Sequence, residues 1–392
     1  MWSVCSTYNA GTVYVAWVLM KKILVTGVDG LLGWHASTRI HSSNCAAKFQ
    51  GKVEPFKLVC VDRRKFTDSD FMSAELADTD VVLHFAGVNR GADDEVREGN
   101  PLIAKSLVSA YVSGRSMAHV VYANSIQSDK RSLYGDSKRE AFGLLASACS
   151  GVTNLVLPHI FGECARPFYN NVTATLIRQI LDGIQPEINP DGRVHLLHAG
   201  EAADQAIACG LDSVDGEVRP ESFSITVPDL YGKIKYFHKS YEENIFPNID
   251  SAFDLNLFNS YRAGSYPDMW PRSLKVNSDI RGELFEMNKS HGGQIFMSTT
   301  LPGVTRGNHF HLGKVERFLV LQGDAVIRIR KVLSQDVVEF AVKGSVPQAV
   351  DMPTLHTHSI ENVGSTPLVT AFWTHDFFDP NNPDTFAEPV IQ

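Results

Sequence analysis

From Lys21 onward, short apolar runs alternate with longer mixed stretches: KKILVTG, a glycine turn and a helix through about Ser42, then KLVCVD, VVLHFAG and HVVYANS with helical stretches between them. Strands that are apolar on both faces need cover on both faces, so the alternation predicts a parallel, doubly wound α/β sheet. NLVLPHIFG reads as a further strand near 154–162, and NNVTATLIRQILDG as an amphipathic helix opening at an asparagine pair. Between Tyr231 and Asp279 the alternation lapses and prolines and aromatics collect, the mark of a connecting segment with some helix. Past Asp279 the period changes. ELFEMN, QIFMSTTL, RFLVLQ, DAVIRIRKV, VVEFAV and LVTAFWTH recur between Gly, Asn, Pro and Ser turns, which predicts an antiparallel β barrel of the jelly-roll kind. The expected division is a disordered N-terminal extension over 1–19, a dinucleotide-binding domain over 20–245, a connecting segment over 246–278 and an all-β domain over 279–392.

Composition narrows the classes without adding elements. A chain of 392 residues is long for one core and fits two domains. Its 44 acidic against 36 basic residues argue against a nucleic-acid partner and leave no polybasic patch for a membrane. The six cysteines show no paired spacing, which suits a reducing cytoplasm. Residues 1–19 lack both a basic start and an unbroken apolar run, so neither a secretory signal nor a span is read there; Met20, directly before the first strand, is taken as the start.

TGVDGLLG places Gly27, Gly30 and Gly33 between a strand and a helix, with Leu31 opening the helix. Bare backbone there can approach a pyrophosphate, whose charge then rests on the helix N-terminus, so a Rossmann-type cofactor site is expected. At the end of the second strand Asp62 suits the ribose hydroxyls of NAD, whereas Arg63 and Arg64 suit the extra phosphate of NADP; both readings stand. Ala86 and Gly87, after VVLHF, have little side chain to keep a cofactor away. YGDSK sets Tyr134 and Lys138 one helical turn apart, where an ammonium would lower the phenol's pKa, and Ser125 ends the strand HVVYANS. Serine, tyrosine and lysine so placed suit proton transfer to a carbonyl oxygen during hydride transfer, the constellation of short-chain dehydrogenases/reductases.

A second chemistry lies in GVTRGNHFHLGKVERFLVLQG, Gly303 to Gly323. On a strand, His309 and His311 point the same way, and a hairpin back through RFLVLQ is expected to bring Glu316 beside them on the neighbouring strand. Such a nitrogen and oxygen set suits zinc or another divalent transition metal. The run is similar to the cupin metal signature, and His358 with Asn362 resembles its second half, although Leu355 stands where glycine is usual. His356 competes with His358 as fourth ligand. The plainer alternative is a set of polar residues lining a jelly roll that has lost its metal. His291 and His375 are read as ordinary surface or core histidines.

With HFAGVNR, SIQ, KVERFLVLQGDAVIRIR and the tail FDPNNPDTF, these motifs make the chain from about Lys21 to Gln392 resemble the CapF family of capsular polysaccharide enzymes. The resemblance implies a short-chain dehydrogenase/reductase domain joined to a cupin, and a UDP-linked 4-keto-6-deoxy-N-acetylhexosamine as substrate. It further implies C3 inversion in the cupin and C4 reduction with NADPH, on the route to UDP-N-acetyl-L-fucosamine. NADH is the other option for the cofactor. Tyr134 would protonate O4, Lys138 would be its electrostatic partner and Ser125 would orient the carbonyl. His309, His311, Glu316 and His358 would hold the metal, zinc first. YNNVTATLI resembles the family's helix along the sugar-nucleotide pocket, which makes Asn89, Arg90, His159, Arg166, Asn170 and Asn171 candidates for substrate contact. Lys314, Asp351 and His356 are near enough in sequence to be the C3 acid and base. A homodimer is implied as well. The resemblance departs at Asp62, where a polar or basic residue is usual, and at His159, where asparagine is. Two other functions stand beside this one: a reductase whose cupin is a structural or dimerisation module, and a sugar-nucleotide sensor without turnover.

Overall fold

The structure, a computed structural model, describes residues 20–279, 282–285, 287–290 and 292–391. The extension expected over 1–19, His291 and one position of ELFEMN lie outside the described residues. The first part of the chain runs β1 (Lys21–Thr26), α1 (Leu31–Phe49), β2 (Phe56–Val61), α2 (Arg63–Thr67), α3 (Ser69–Leu76), β3 (Val81–His84), α4 (Asp93–Ser113), β4 (His119–Ser125), α5 (Leu133–Ala148) and β5 (Val152–Leu157). It continues through β6 (His159–Phe161), α6 (Val172–Leu181), β7 (Arg193–His198), α7 (Ala199–Leu211), β8 (Gly216–Val218), β9 (Phe223–Thr226), α8 (Val227–Glu242) and α9 (Ala252–Ser265).

Six strands form one parallel sheet in the order β2-β1-β3-β4-β5-β8. Alternate residues of β1 face opposite ways. Leu24 packs with Met72, Leu107 and Leu145 of α3, α4 and α5, while Ile23 and Val25 pack with Ala36, Ile40, Ala202 and Ala206 of α1 and α7. The strand order reverses between β1 and β3, and in open α/β sheets the ligand crevice lies at the carboxyl ends beside such a reversal. Helices α2 and α3 occupy the connection in which the common six-stranded order would place another edge strand.

NLVLPHIFG is not one strand. Pro158 has no N–H for a ladder, and the run divides there into β5 of the large sheet and β6 of a small sheet, β6-β7-β9. Helix α9 falls within the stretch expected to connect the domains. It packs with α6 and α8 in an apolar cluster that also takes in Val315 and Trp373 from the all-β part.

That part comprises β10 (Arg272–Ser273), a β11–β12 hairpin (Val276–Asp279, Gly282–Phe285), β13 (Gln294–Thr300), β14 (Thr305–Phe310), β15 (Glu316–Gln322), β16 (Asp324–Lys331), β17 (Val337–Lys343), β18 (Gln348–Met352), β19 (His356–Asn362), β20 (Leu368–Thr374) and β21 (Phe386–Ala387). They form antiparallel sheets ordered β10-β18-β15-β20-β13 and β17-β16-β19-β14-β21, the double Greek key of a jelly roll. Phe318, Val350 and Leu368 of the first sheet meet Ile327, Phe340 and Ile360 of the second in one core. No helix among the described residues is long and apolar enough to cross a membrane.

Candidate functional sites

At the end of β1 the backbone turns through a left-handed glycine, Gly27 at φ 71°. A Cβ there would lie 2.7 Å from the backbone nitrogen of Ala86, and one on Gly33 would lie 2.2 Å from the carbonyl oxygen of Gly27. The turn, the start of α1 and the segment after β3 are therefore packed backbone against backbone. Gly30 caps α1 with no side-chain hydrogen bond, and no acidic residue occupies the first turn from Leu31, which leaves the end free for an anion. The Thr26 hydroxyl accepts from Phe85 N and Ala86 N, both at 3.2 Å, fixing the segment that carries Ala86 and Gly87. Asp62 is occupied locally: its carboxylate caps α2 by accepting from Lys65 N at 2.8 Å. Arg63 and Arg64 lie exposed at the start of that helix.

Ser125 ends β4, and Tyr134 and Lys138 follow on α5. Burial raises the Tyr134 pKa, and a hydrogen bond with Ser125 offsets part of that. The lysine acts otherwise than the spacing suggested. Its ammonium donates to the Ala123 carbonyl at 2.6 Å and lies 4.2 Å from the centre of the Tyr122 ring, so it does not lower the Tyr134 pKa here. Burial brings Lys138 itself down to about 7. Sequence reasoning missed Asn100, whose Nδ2 donates to the Val88 carbonyl at 2.8 Å and to Ser137 at 3.0 Å, tying the loop after β3 to α5. An asparagine directly before Pro101 inside a helical stretch was the available signal.

The substrate candidates form two facing loops. Arg90 donates to the Phe168 carbonyl at 2.7 Å, and Asn170 Nδ2 to the Asn89 carbonyl at 2.8 Å. Arg166 lies over the Tyr169 ring at 5.1 Å, and Asn171 caps α6 by accepting from Ala174 N at 3.0 Å. His159 starts β6, with a pKa lowered by burial and then by Lys130 and His195.

In the jelly roll, His309, His311, Glu316 and His358 converge, each offering one donor atom within 4.8 Å of the others. The route to that convergence differs from expectation. β14 pairs with β19 and β21, while β15, which begins at Glu316, pairs with β18 and β20 of the opposite sheet. Glu316 thus reaches the histidines across the sandwich and not along a hairpin. Its carboxylate lies 3.2 Å from His311 Nε2 and 3.3 Å from His358 Nε2. Burial would raise the Glu316 pKa, but hydrogen bonds and charge from His311 and His358 hold it well below the usual range. Burial, then the neighbouring histidines, bring His309 down to about 3. A neutral imidazole and an ionised carboxylate are the forms that bind metal.

His356 does not compete: its Nδ1 faces the Thr354 carbonyl at 2.8 Å and its ring packs on Tyr266. Leu355, at the position where glycine is usual, does take the left-handed conformation, φ 62°, and its N–H reaches the His311 carbonyl at 2.8 Å. The acid and base candidates separate as well. Asp351 is buried against Arg317 and Tyr241, and Lys314 Nζ donates to the Pro383 carbonyl at 2.5 Å. Sequence reasoning also missed Asp384. Its carboxylate accepts from Leu312 N, Gly313 N and Lys314 N at 2.8–2.9 Å, and its carbonyl faces His311 Nδ1 at 2.5 Å, which turns Nε2 toward the cluster. FDPNNPDTF stood out as a motif, but nothing in it said that its aspartate sits under the histidine loop.

A parallel sheet with a glycine-cradled crevice, joined to a jelly roll with a four-residue donor cluster, defines a two-domain class. Residues 277–386 match the family described as the polysaccharide biosynthesis C-terminal domain. Over 381 residues the chain is 29% identical to UDP-2-acetamido-2,6-beta-L-arabino-hexul-4-ose reductase of Pseudomonas aeruginosa, covering 93% of this chain and 98% of that one. It is also similar to the crystal structure of the capsular polysaccharide assembling protein CapF from Staphylococcus aureus, with a TM-score of 0.53 and 26% identity over 94% of this chain and 99% of that one. The resemblance to the CapF family implied by the motifs therefore extends over nearly the whole chain.

Proposed function

We propose that the protein is a bifunctional nucleotide-sugar enzyme. It inverts C3 of a UDP-4-keto-6-deoxy-N-acetylhexosamine at the jelly-roll cluster, then reduces C4 with NADPH beside Tyr134, toward UDP-N-acetyl-L-fucosamine. The observation that carries this reading is the presence of two separate donor sets on a chain that matches a UDP-sugar reductase over 98% of that protein's length.

Both sites suit the groups they would hold. His358 Nε2 is buried with the Glu316 carboxylate 3.3 Å away, and His311 Nδ1 is engaged by a carbonyl, so both Nε2 atoms lie beside Glu316 where they can face a cation. Gly27 and Gly33 leave bare backbone where a pyrophosphate would lie, and the exposed Arg63 and Arg64 suit a 2′-phosphate. A nicotinamide dinucleotide would supply hydride, and a divalent cation held by His309, His311, Glu316 and His358 would polarise the ketone oxygen.

The chain's own residues account for the rest. A C3 proton is acidic only because the adjacent C4 carbonyl spreads the charge left behind, and returning a proton to the opposite face inverts the centre. At the second site burial keeps the Tyr134 phenol protonated at neutral pH, ready to give its proton to O4 as C4 is reduced. Ser125 shares a hydrogen bond with that phenol, and Lys138 stands behind it on the next turn of α5. The loops tied together by Arg90 and Asn170 would hold the sugar nucleotide.

Incubating the 4-keto-6-deoxy-UDP-sugar with the protein in deuterated water should label C3 without cofactor. Adding NADPH should then give a 6-deoxytalose-type product. Tyr134→Phe should keep the exchange and lose the reduction, whereas His309→Ala should lose the exchange and still reduce the 3-epimerised ketone. Absence of C3 exchange in the wild type removes the epimerase half and leaves a reductase with a structural jelly roll.

A further inference from the structure

A second histidine–carboxylate cluster, with no residue in common with the jelly-roll set, lies on the joint between the domains. His35 comes from α1, Glu163 follows β6 and His198 ends β7; their exposures are 1%, 0% and 3%. Glu163 Oε2 lies 2.8 Å from His198 Nε2 and 3.9 Å from His35 Nε2, and the donor atoms of all three lie within 4.8 Å of one another. The His35 nitrogen is also 3.2 Å from the Glu163 carbonyl oxygen. We propose that His35, Glu163 and His198 form a second divalent transition-metal site, structural in character, that fastens the dinucleotide-binding domain to the jelly roll.

At 3.9 Å the His35 imidazole is too far from the carboxylate to bond it directly, and its Nε2 reaches the Glu163 carbonyl oxygen instead. Tetrahedral coordination with bonds of about 2.0–2.1 Å places ligand atoms roughly 3.3 Å apart. The two observed separations straddle that value, and moving each by about half an ångström satisfies it. Glu316 meets two imidazoles of the jelly-roll cluster at 3.2 and 3.3 Å, so the same donor types already stand at this spacing elsewhere in the fold.

The surroundings fix the cluster and keep it dry. A Cβ on Gly162 would lie 3.3 Å from His35 Nε2 and 3.1 Å from Ala199 Cβ, so a side chain there would crowd the ring against that strand end. Trp34 and Phe161 stack edge-on against His35 and His198. The other carboxylate oxygen, Glu163 Oε1, accepts from the Thr354 hydroxyl at 3.0 Å, and Thr354 belongs to the jelly roll. An outer partner from the second domain is what makes the site a fastening. Two imidazole nitrogens and a carboxylate oxygen suit zinc, and the Glu163 carbonyl oxygen, 3.2 Å from His35 Nε2, is the fourth donor that a closed site requires.

The test uses full-length protein saturated with zinc. Anomalous diffraction at the zinc edge should show a peak among His35 Nε2, His198 Nε2 and Glu163 Oε2, separate from any peak at His309. Metal analysis should give two equivalents per chain, falling by one in Glu163→Gln and by one in His309→Ala. A wild-type map with no peak at His35, or a content that Glu163→Gln leaves unchanged, overturns the proposal. Should the variant fail to fold, the wild-type map decides alone. A peak at His35 with none at His309 would sink the jelly-roll assignment and leave this one standing.

Discussion

Asp351→Asn removes one charge from the most enclosed ion pair among the described residues. Asp351 and Arg317 are each 0% exposed, joined by bonds of 2.5 and 2.9 Å, and the Tyr241 hydroxyl donates to the same carboxylate. The substitution keeps the shape and one accepting oxygen but leaves a buried guanidinium with neutral acceptors in place of the carboxylate, among them Asn244 and the Met287 carbonyl. Uncovering one member of such a pair costs about 3–5 kcal/mol. That is a large share of a typical folding free energy and corresponds to a drop in Tm of roughly 6–20 °C for a domain of this size. Tyr241 lies on α8 and its partners on β15 and β18, so the loss falls on the join between the domains, and calorimetry should show the unfolding transition broadening or dividing. Replacing both partners, Arg317→Met with Asp351→Leu, should recover most of the loss, because no bare charge remains. Burial alone would raise the Asp351 pKa, but Arg317 outweighs it and the folded value is lowered. The pair's contribution is therefore present above the ordinary aspartate pKa of about 3.9 and is lost as pH falls through the lower folded value. The reasoning is refuted if the single variant stays within about 1 kcal/mol of wild type, or if the double variant is no more stable than the single one.

Three further outcomes are expected. Gly33→Ala, whose Cβ would sit 2.2 Å from the Gly27 carbonyl oxygen, should weaken dinucleotide binding at least about tenfold in a calorimetric titration, since the colliding atom is backbone. Asp384→Asn removes the charge that gathers three backbone N–H groups under His311, and chelator competition should show metal affinity falling about 10- to 100-fold. Lys138, brought down to about 7, is charged below that pH and neutral above it; if the ammonium is required, kcat/KM for reduction should decline as pH rises past about 7, and a flat profile to pH 9 would rule that role out.

How much of the fold and its sites was legible depended on whether a residue's partner is near in sequence. His309 and His311 could be placed together because strand alternation is a local rule, with Phe310 turned into the opposite cluster. Glu316 could be named as a ligand but not placed, since sheet membership depends on which distant strand pairs with β15. Tyr134 and Lys138 share a helix face by spacing, yet only the packing of Tyr122 and Ala123 shows where the ammonium points. Arg317, inside KVERFLVL, looks like any charge between strands; its burial depends on Asp351 and Tyr241, 34 and 76 positions away in opposite directions. At Leu355 the sequence shows only a missing glycine, and the backbone keeps the left-handed turn regardless.

Helix α1 is illegible for the same reason, because its partners come from both domains. Its sequence, LLGWHASTRIHSSNCAAKF, carries no clean apolar stripe: Gly33 through Thr38 are all buried, some against the sheet and some against the jelly roll. The Trp34 indole donates to the Val332 carbonyl at 3.0 Å, Lys331 lies over the same ring at 3.9 Å, and His41 meets Glu388 at 2.5 Å. Burial works against a charged His41, but its hydrogen bonds to Cys45 and Glu388 outweigh it and raise its pKa to about 10, so the contact with Glu388 is an ion pair at neutral pH. The helix whose first turn faces the cofactor crevice is thus the helix along which the second domain lies. A substitution that loosens the joint, at Trp34 or Glu388, acts on the base of the glycine turn through a rigid element of 19 residues, and its effect should reach dinucleotide affinity as well as stability.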